Sequence, residues 1–534
     1  MSAESPVRPR RLSLFLVLLI GAVAFVILAL RAVDRDLNHD EHQFLVPAAL
    51  TSRLGLLPYR DYPLFHLPNL VFGYAFLERL TGELILSAKV LSALASTILI
   101  MLIAGVGLLR REVAGKGAWL GVFTLPLLLL CDPLFVFTAG KTWNHEVPTA
   151  LLALAIVFHV RATGRSAVLW LTLSGVAAGL AVGSRLTFAL ALVPLACAIL
   201  LFPGSWPRRF ALAALFTAVT TAALTPTLFL LFQYPEPFLF GNFEFPRLPI
   251  HDPEETRIHE TMTWWRKLRF FAKEVMRPSW AVFVAFIAFG WRPAWIWWKD
   301  RSSDAFGAFL VCFTLPFLLA GCFAPSRYQY QHFFAIVPIL VLGIAFSAAG
   351  PAAWFERWIS RAKVLAIFCL TSSLAMGYSS LKESSWKTPD WITNVSRPSE
   401  WFPARAARFG AEIRAHTGPG RIATLAPSWP IAGGLQTYPE FSTGVFGWRY
   451  AFLVPPERRK RLRLLAPEDL PTRLAEAPPA GILTGVEEKR FEQPLVDYAR
   501  SHGYREVILR RKQRLWLPPI ASDTILFGPN AKAP

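Results

Sequence analysis

Charge is scarce in this chain: only 17% of its 534 residues are Asp, Glu, Lys or Arg, while 54% are hydrophobic. Soluble domains carry about 25% charged residues, so a single soluble domain of this length is excluded. Cysteine is also sparse. The five cysteines, Cys131, Cys197, Cys312, Cys322 and Cys369, lie in or beside apolar runs, and none forms a Cys-x-x-Cys pair. That pattern excludes a disulfide framework and a cysteine zinc site, and leaves them as small packing residues. The C-terminal part has no Gly-x-Gly-x-x-Gly phosphate loop and no Gly-x-Ser-x-Gly nucleophile elbow. No repeat with a period of about 20–50 residues is visible. Acidic residues are few, 36 against 55 basic, for a net charge of +19. The basic residues gather at the ends of apolar runs and no aromatic-basic RNA motif appears, so nucleic acid is rejected as a partner.

What the chain has in plenty is apolar runs, recurring as far as residue 381. A run of about 20 residues spans a bilayer. The runs are Leu14–Val33, Leu84–Leu109, Ala118–Phe137, Val147–Val160, Val168–Val182, Leu186–Phe202, Ala211–Phe232, Trp280–Gly290, Ala305–Phe323, Phe333–Ala349 and Val364–Leu381. They predict a polytopic α-helical membrane protein of about eleven spans. Pro68–Leu80 is too short to span and reads as an interfacial helix in the first outer loop. Arg8, Arg10 and Arg11 resemble a signal-peptide n-region. The run behind them is longer than a signal core and Arg31 interrupts any cleavage site, so a retained signal-anchor is expected.

With the N-terminus inside, one assignment puts every basic cluster on the inner face: 8–11, 110–116, 161–165, 208–209, 292–301 and 357–363. The same assignment puts Asp40, Glu41, Arg60, Glu146, Arg185 and Arg327 on the outer face. A long outer segment, Gln233–Arg277, is expected to hold an amphipathic helix near Thr261–Glu274, and the tryptophan clusters read as interfacial belts. From residue 382 to 534 the composition turns soluble. Predicted helices at Glu400–His416 and Glu488–His502 alternate with strands at Arg421–Ala426, Ala480–Thr484, Glu506–Leu509 and Arg514–Leu517. The pattern gives a small α/β domain on the outer face, after a membrane domain over 1–381.

The densest chemistry lies in Asp34–His42, where four carboxylates and two histidines follow the first span. Charge beside hydrocarbon must face water or a partner; a solvated interfacial loop is the plain alternative. A carboxylate there can take a proton from a hydroxyl, and cations on the same face can hold a phosphate. Asp40 is the candidate base, with Glu41 and Glu146 as further acids. Tyr59, Arg60, Arg185, Arg327 and Tyr328 are candidate substrate-binding residues. His39, His42 and His145 share that face and could hold a divalent metal with the carboxylates; no cofactor is otherwise implied.

Four motifs carry a resemblance. They are Asp40-Glu41 after the first span; Gly55-x-x-Pro-Tyr-Arg-Asp-x-Pro63 before an interfacial helix ending near Gly82; Glu146-x-Pro148 opening a span; and Gly179-x-x-x-Gly183-Ser-Arg185-Leu-Thr. Ser326-Arg-Tyr328 before a proline-containing span also fits. In order and sidedness they resemble the GT-C membrane glycosyltransferases, in particular the bacterial branch related to protein O-mannosyltransferases and lipid A aminoarabinose transferases. The resemblance implies an inverting transfer of a sugar from a polyprenyl-phosphate donor to an envelope glycan, lipid or protein, on the outer face of the bacterial inner membrane. Asp40 would be the base. Glu146 would orient the acceptor or bind a metal, although the family usually has Asp there. Arg185 stands where Lys is common and favours bidentate phosphate contact. A polytopic lipid or sugar transporter and a non-catalytic assembly protein are the competing classes. A transporter should carry ionisable groups in mid-span, whereas here they cluster at helix ends. The sidedness is directly testable. A phosphatase reporter fused after Glu400 should be active, and one fused after Arg111 inactive; the reverse pattern would invert the topology.

Overall fold

A computed structural model describes residues 7–109, 118–162, 166–251, 263–300, 305–325, 329–348, 359–383, 393–510 and 512–519. The first helix, α1 (Val7–Asp34), ends in three coil residues. Asn38 then starts α2 (His39–Leu54) through a capping box. Its side chain accepts from the Asp40 amide at 3.0 Å, and Glu41 reaches back to the Asn38 amide at 3.0 Å. That reciprocal pair satisfies two of the orphan donors at a helix start. α2 stops at Gly55, whose φ of 67° suits a residue without Cβ. The expected interfacial helix is α3 (Asn69–Thr81). It buries Leu70, Val71 and Tyr74 and exposes Phe76 and Leu80. Arg53 on α2 pairs with Glu78 on α3 at 2.6 Å, and α4 (Leu84–Leu109) runs back along α1.

Among the described residues, five helices are long and apolar enough to cross a membrane: Leu14–Asp34, Leu84–Val106, Ala167–Ser184, Phe306–Phe323 and Tyr330–Ala348. A sixth is the pair Trp206–Ala223 and Thr225–Gln233, bent by 61° at Pro226. The remaining expected spans are shorter or broken, for local reasons. Ala118–Phe137 divides at Asp132, whose side chain caps Pro133–Thr138 by accepting from the amides of Leu134 and Phe135 at 3.0 and 3.1 Å. Val147–Val160 lies in a helix of 16 residues, α5 (Glu146–Arg161). Leu186–Phe202 opens as a 3-10 turn, and Trp280–Gly290 ends in a wide π turn. Val364–Leu381 lies within the helix Ile359–Glu383. The expected amphipathic segment near 261–274 is helical from Trp264 to Phe270 and then widens.

The C-terminal sheet has strands β1 (Arg421–Ala423), β2 (Gln436–Thr437), β3 (Gly481–Thr484), β4 (Arg505–Ile508) and β5 (Arg514–Leu517), in the order β2-β1-β3-β5-β4. β1 is parallel to β2 and β3, and β5 is antiparallel to both β3 and β4. Strand residues alternate between faces. Ile422, Leu483 and Leu515 meet Phe409 and Ile413 of the helix Phe402–Thr417, while Ala423, Ile482 and Trp516 meet Leu495 and Tyr498 of the helix Lys489–Ser501. The sheet unit docks on the loop and helix that follow α1. Arg405 pairs with Asp36 at 2.7 Å, Ser442 donates to the Pro63 carbonyl at 3.1 Å, and Arg53 donates to that of Ile431 at 2.9 Å.

Gly179 of the Gly-rich motif marks a close helix approach to Trp206–Ala223. A Cβ there would sit 2.5 Å from the Thr220 carbonyl oxygen and 2.7 Å from the Ala223 Cβ, whereas one at Gly105 would meet nothing within 4 Å. Gly179→Ala should therefore destabilise the protein by about 1–3 kcal/mol, read as thermal unfolding in detergent, with Gly105→Ala near wild type. Equal melting of the two variants would contradict this packing.

Candidate functional site

Three carboxylates come together where α1 ends, and each is held differently. Glu41 is fully buried. One oxygen accepts from the Asn38 amide, and the other accepts from both the amide and the hydroxyl of Thr142 at 2.8 Å. The Trp143 indole also donates to Asn38 Oδ1 at 3.1 Å. Glu41 thus fastens the start of α2 to the turn 139–145. Glu146, at the first turn of α5, is also fully buried, but both its oxygens lack a hydrogen-bond donor among the described residues. Asp40 alone of the three reaches solvent, with its side chain 19% exposed and His39 Nε2 at 3.6 Å.

Cations surround these acids. The Lys141 ammonium lies over the rings of Phe137 and Trp143, 3.4 and 4.0 Å from their centres. It feels the charges of Asp40, Glu41 and Glu146 together. Burial, with Arg35 second, brings the Lys141 pKa down to about 7, so the ammonium is poised to gain full charge beside an arriving anion. Burial pushes the Asp40 carboxyl above its ordinary range; His39 and Lys141 oppose that shift. Arg35 donates to the carbonyls of Phe137 and Ala139 at 3.0 Å, and Lys89 donates to the Arg35 carbonyl at 2.9 Å. These bonds hold the turn against α1 so closely that a Cβ at Gly140 would come 2.8 Å from that of Ala32. Arg185, at the end of Ala167–Ser184, donates to the Asn144 carbonyl at 3.2 Å, to the Thr187 hydroxyl at 3.0 Å and to His145 Nδ1. Its charge interacts with that of Glu146.

Several expected residues sit elsewhere. Arg60 is half exposed and forks onto its neighbour Asp61 at 2.7–3.0 Å, whose carboxylate is fixed beside it by the Leu57 amide at 2.8 Å. Tyr59 itself is buried at a φ of 64° and donates to the His66 carbonyl at 2.6 Å; it shapes the loop. The three-histidine metal cluster does not form. His39 is 47% exposed and keeps to Asp40 and the Phe446 ring. His42 Nδ1 meets the Ser428 hydroxyl at 2.7 Å, and its Nε2 faces Glu487 at 3.9 Å. His145 is bound to Arg185. Among the described residues no group of three His, Cys, Asp or Glu side chains is arranged to hold a metal ion. Arg327 and Tyr328 lie outside the described residues. Lys141, Arg35 and Lys89 were missed by sequence reasoning. Lys141 lies in the turn that opens toward Glu146, and an isolated basic residue on the outer side of a positive-inside chain was the available signal.

The chain matches no family model and no curated protein. Among solved structures it is similar to ArnT from Cupriavidus metallidurans bound to undecaprenyl phosphate, with a TM-score of 0.59 at 14% identity over 95% of this chain and 98% of that one. It is also similar to the apo state of the same protein, with a TM-score of 0.56 at 15% identity over 94% of this chain and 98% of that one. The chain therefore shares the fold of that ArnT; at this identity the likeness concerns the fold.

Because Glu41 is buried and takes three hydrogen bonds, Glu41→Ala should lower stability by about 1–3 kcal/mol, measured by thermal unfolding. Asp40→Asn, at a partly wet position, should melt within a degree or two of wild type. Similar losses in both variants would contradict the different holding of the two acids.

Proposed function

We propose that the protein is a membrane glycosyltransferase that moves a sugar from a polyprenyl-phosphate donor to an acceptor hydroxyl, with Asp40 as general base. One observation carries the reading: Asp40, Glu41 and Glu146 all act on the Lys141 ammonium at the exit of a membrane-length helix, in a chain with the fold of a protein solved with undecaprenyl phosphate. Among the three acids, Asp40 has the access and the free lone pairs that a base requires. In the transfer, the acceptor oxygen bonds to the anomeric carbon as the bond from that carbon to the phosphate oxygen breaks. Asp40 takes the acceptor proton, and the polyprenyl phosphate leaves with the bonding pair. One displacement from the face opposite the phosphate inverts the anomeric centre.

The cations serve the leaving phosphate. Charge grows on its oxygens in the transition state, so preorganised donors there lower the barrier more than they tighten ground-state binding. Lys141 acts directly on the Asp40 charge, and Arg185 on that of Glu146. Glu41 positions the frame on which Asp40 and Lys141 both ride. Glu146, buried without donors, acts on Lys141 and Arg185 through its charge alone. The acceptor is an envelope glycan, lipid or protein on the outer face of the bacterial inner membrane.

Asp40→Asn should reduce transfer by at least about 10²-fold. Transfer is measured with radiolabelled polyprenyl-phosphate sugar donors and an envelope fraction as acceptor. Because the Asp40 carboxyl titrates above its usual range, the base is lost on acidification at a higher pH than for an ordinary aspartate, so the acid limb of the rate profile should be shifted upward. Full activity in the Asn variant would rule Asp40 out as the base.

A further inference from the structure

Parallel α/β sheets hold ligands at the carboxyl ends of their strands, where the loops after neighbouring strands diverge. Here that edge is made by the loops after β1 and β3, and it faces α2. The β1 loop brings Ser428 to His42 at 2.7 Å. The β3 loop brings Glu487 to the other side of the same ring at 3.9 Å. The β3 loop is rigidly set. Glu492, on the following helix, accepts from the amides of Gly485, Val486 and Glu487 at 2.5, 3.1 and 3.0 Å. Gly485 has a φ of 85°, and a Cβ there would strike the Lys512 carbonyl oxygen at 2.0 Å. Glu487 is therefore fixed at the edge, with its side chain 12% exposed.

Arg449 completes the edge. Its guanidinium lies 4.5 Å from the Phe491 ring centre and 3.8 Å from Glu488, and its buried Nε has no hydrogen-bond partner among the described residues. Both Arg449 and Glu487 act on the charge of Asp40 or feel it. Beside them Phe446 presents a ring to His39 at 5.6 Å. Lys141, from the turn before α5, acts on the same carboxylate. The base thus lies within reach of the Lys141 charge and of a mixed edge of carboxylate, guanidinium and aromatic faces.

We propose that the carboxyl edge of the C-terminal sheet is the acceptor subsite, taking a saccharide whose hydroxyls bind Glu487 and Arg449 beside Asp40. The inference rests on the transferase reading and specifies its acceptor side. Planar carboxylate and guanidinium groups match paired sugar hydroxyls, and an aromatic face covers the apolar side of a pyranose ring. A peptide acceptor would instead call for apolar pockets or an open strand at this edge, and the free strand edges of the sheet are β2 and β4.

The test uses the full chain in lipid nanodiscs. It is applied to an array of immobilised envelope oligosaccharides printed beside serine- and threonine-containing peptides, and separately to undecaprenyl phosphate. The wild type and Asp40→Asn should bind the same oligosaccharides. Glu487→Gln and Arg449→Lys should each lose that binding by at least about tenfold while retaining undecaprenyl phosphate binding and wild-type melting. Two variants on different elements are used so that a folding defect in one leaves the other informative. Undiminished glycan binding in both variants, no oligosaccharide bound by the wild type, or peptide binding in its place would overturn the subsite. Loss of undecaprenyl phosphate binding by the wild type would instead count against the transferase reading.

Discussion

A carboxylate that loses water must find other donors, and Glu41 finds three in two separate parts of the chain. This carboxylate is the joint of the molecule. It closes the capping box of α2 and at the same time seizes the amide and hydroxyl of Thr142. The exit of the first long helix is thereby fixed to the turn that leads into α5. Removing one partner from such a buried set leaves the others unsatisfied, which costs more than the bonds contribute net. The arrangement of Asp40, Lys141 and Glu146 depends on this joint, since each lies within a few residues of one of its ends.

The same joint explains why the site holds so much buried charge. Arg35, Lys89, Lys141 and Arg185 balance Glu41 and Glu146 at the rim of an apolar bundle, and most of their donors go to backbone carbonyls of the turn 137–145 or to Arg35. Such a network is costly to assemble and rigid once assembled. Rigidity is useful where a leaving phosphate has to meet donors already in place. Arg449 and Glu487 of the C-terminal part also act on the charge of Asp40 or feel it.

Much of this was legible from the residues, and for definable reasons. Runs such as Leu14–Val33 and Leu84–Leu109 are signalled by hydropathy alone. The short length of Pro68–Leu80 marked a helix that cannot span, and α3 is that helix. Four of the five strands of the sheet stood out as short apolar runs; β2, two residues long, gives no periodicity to read. The capping box at Asn38 could have been seen in Asn-x-x-Glu, and would have moved Glu41 from chemistry to support. What the sequence hides is direction. Arg60 and His42 carry the right chemistry in the right segment, yet one turns to Asp61 and the other to Ser428. The long-range partners of Asp40, from Lys141 to Glu487, come from turns whose placement only tertiary packing determines.

The central claim is that a phosphate docks against Lys141 with Asp40 at its margin. A cryo-electron-microscopy map of the full chain in nanodiscs with added undecaprenyl phosphate tests it most directly. The account predicts phosphate density within hydrogen-bond reach, about 3 Å, of the Lys141 ammonium, with the lipid tail running down the helices and the Asp40 carboxylate open on the other side. Phosphate density at a different face of the bundle, with Lys141 still resting on Phe137 and Trp143, would contradict it.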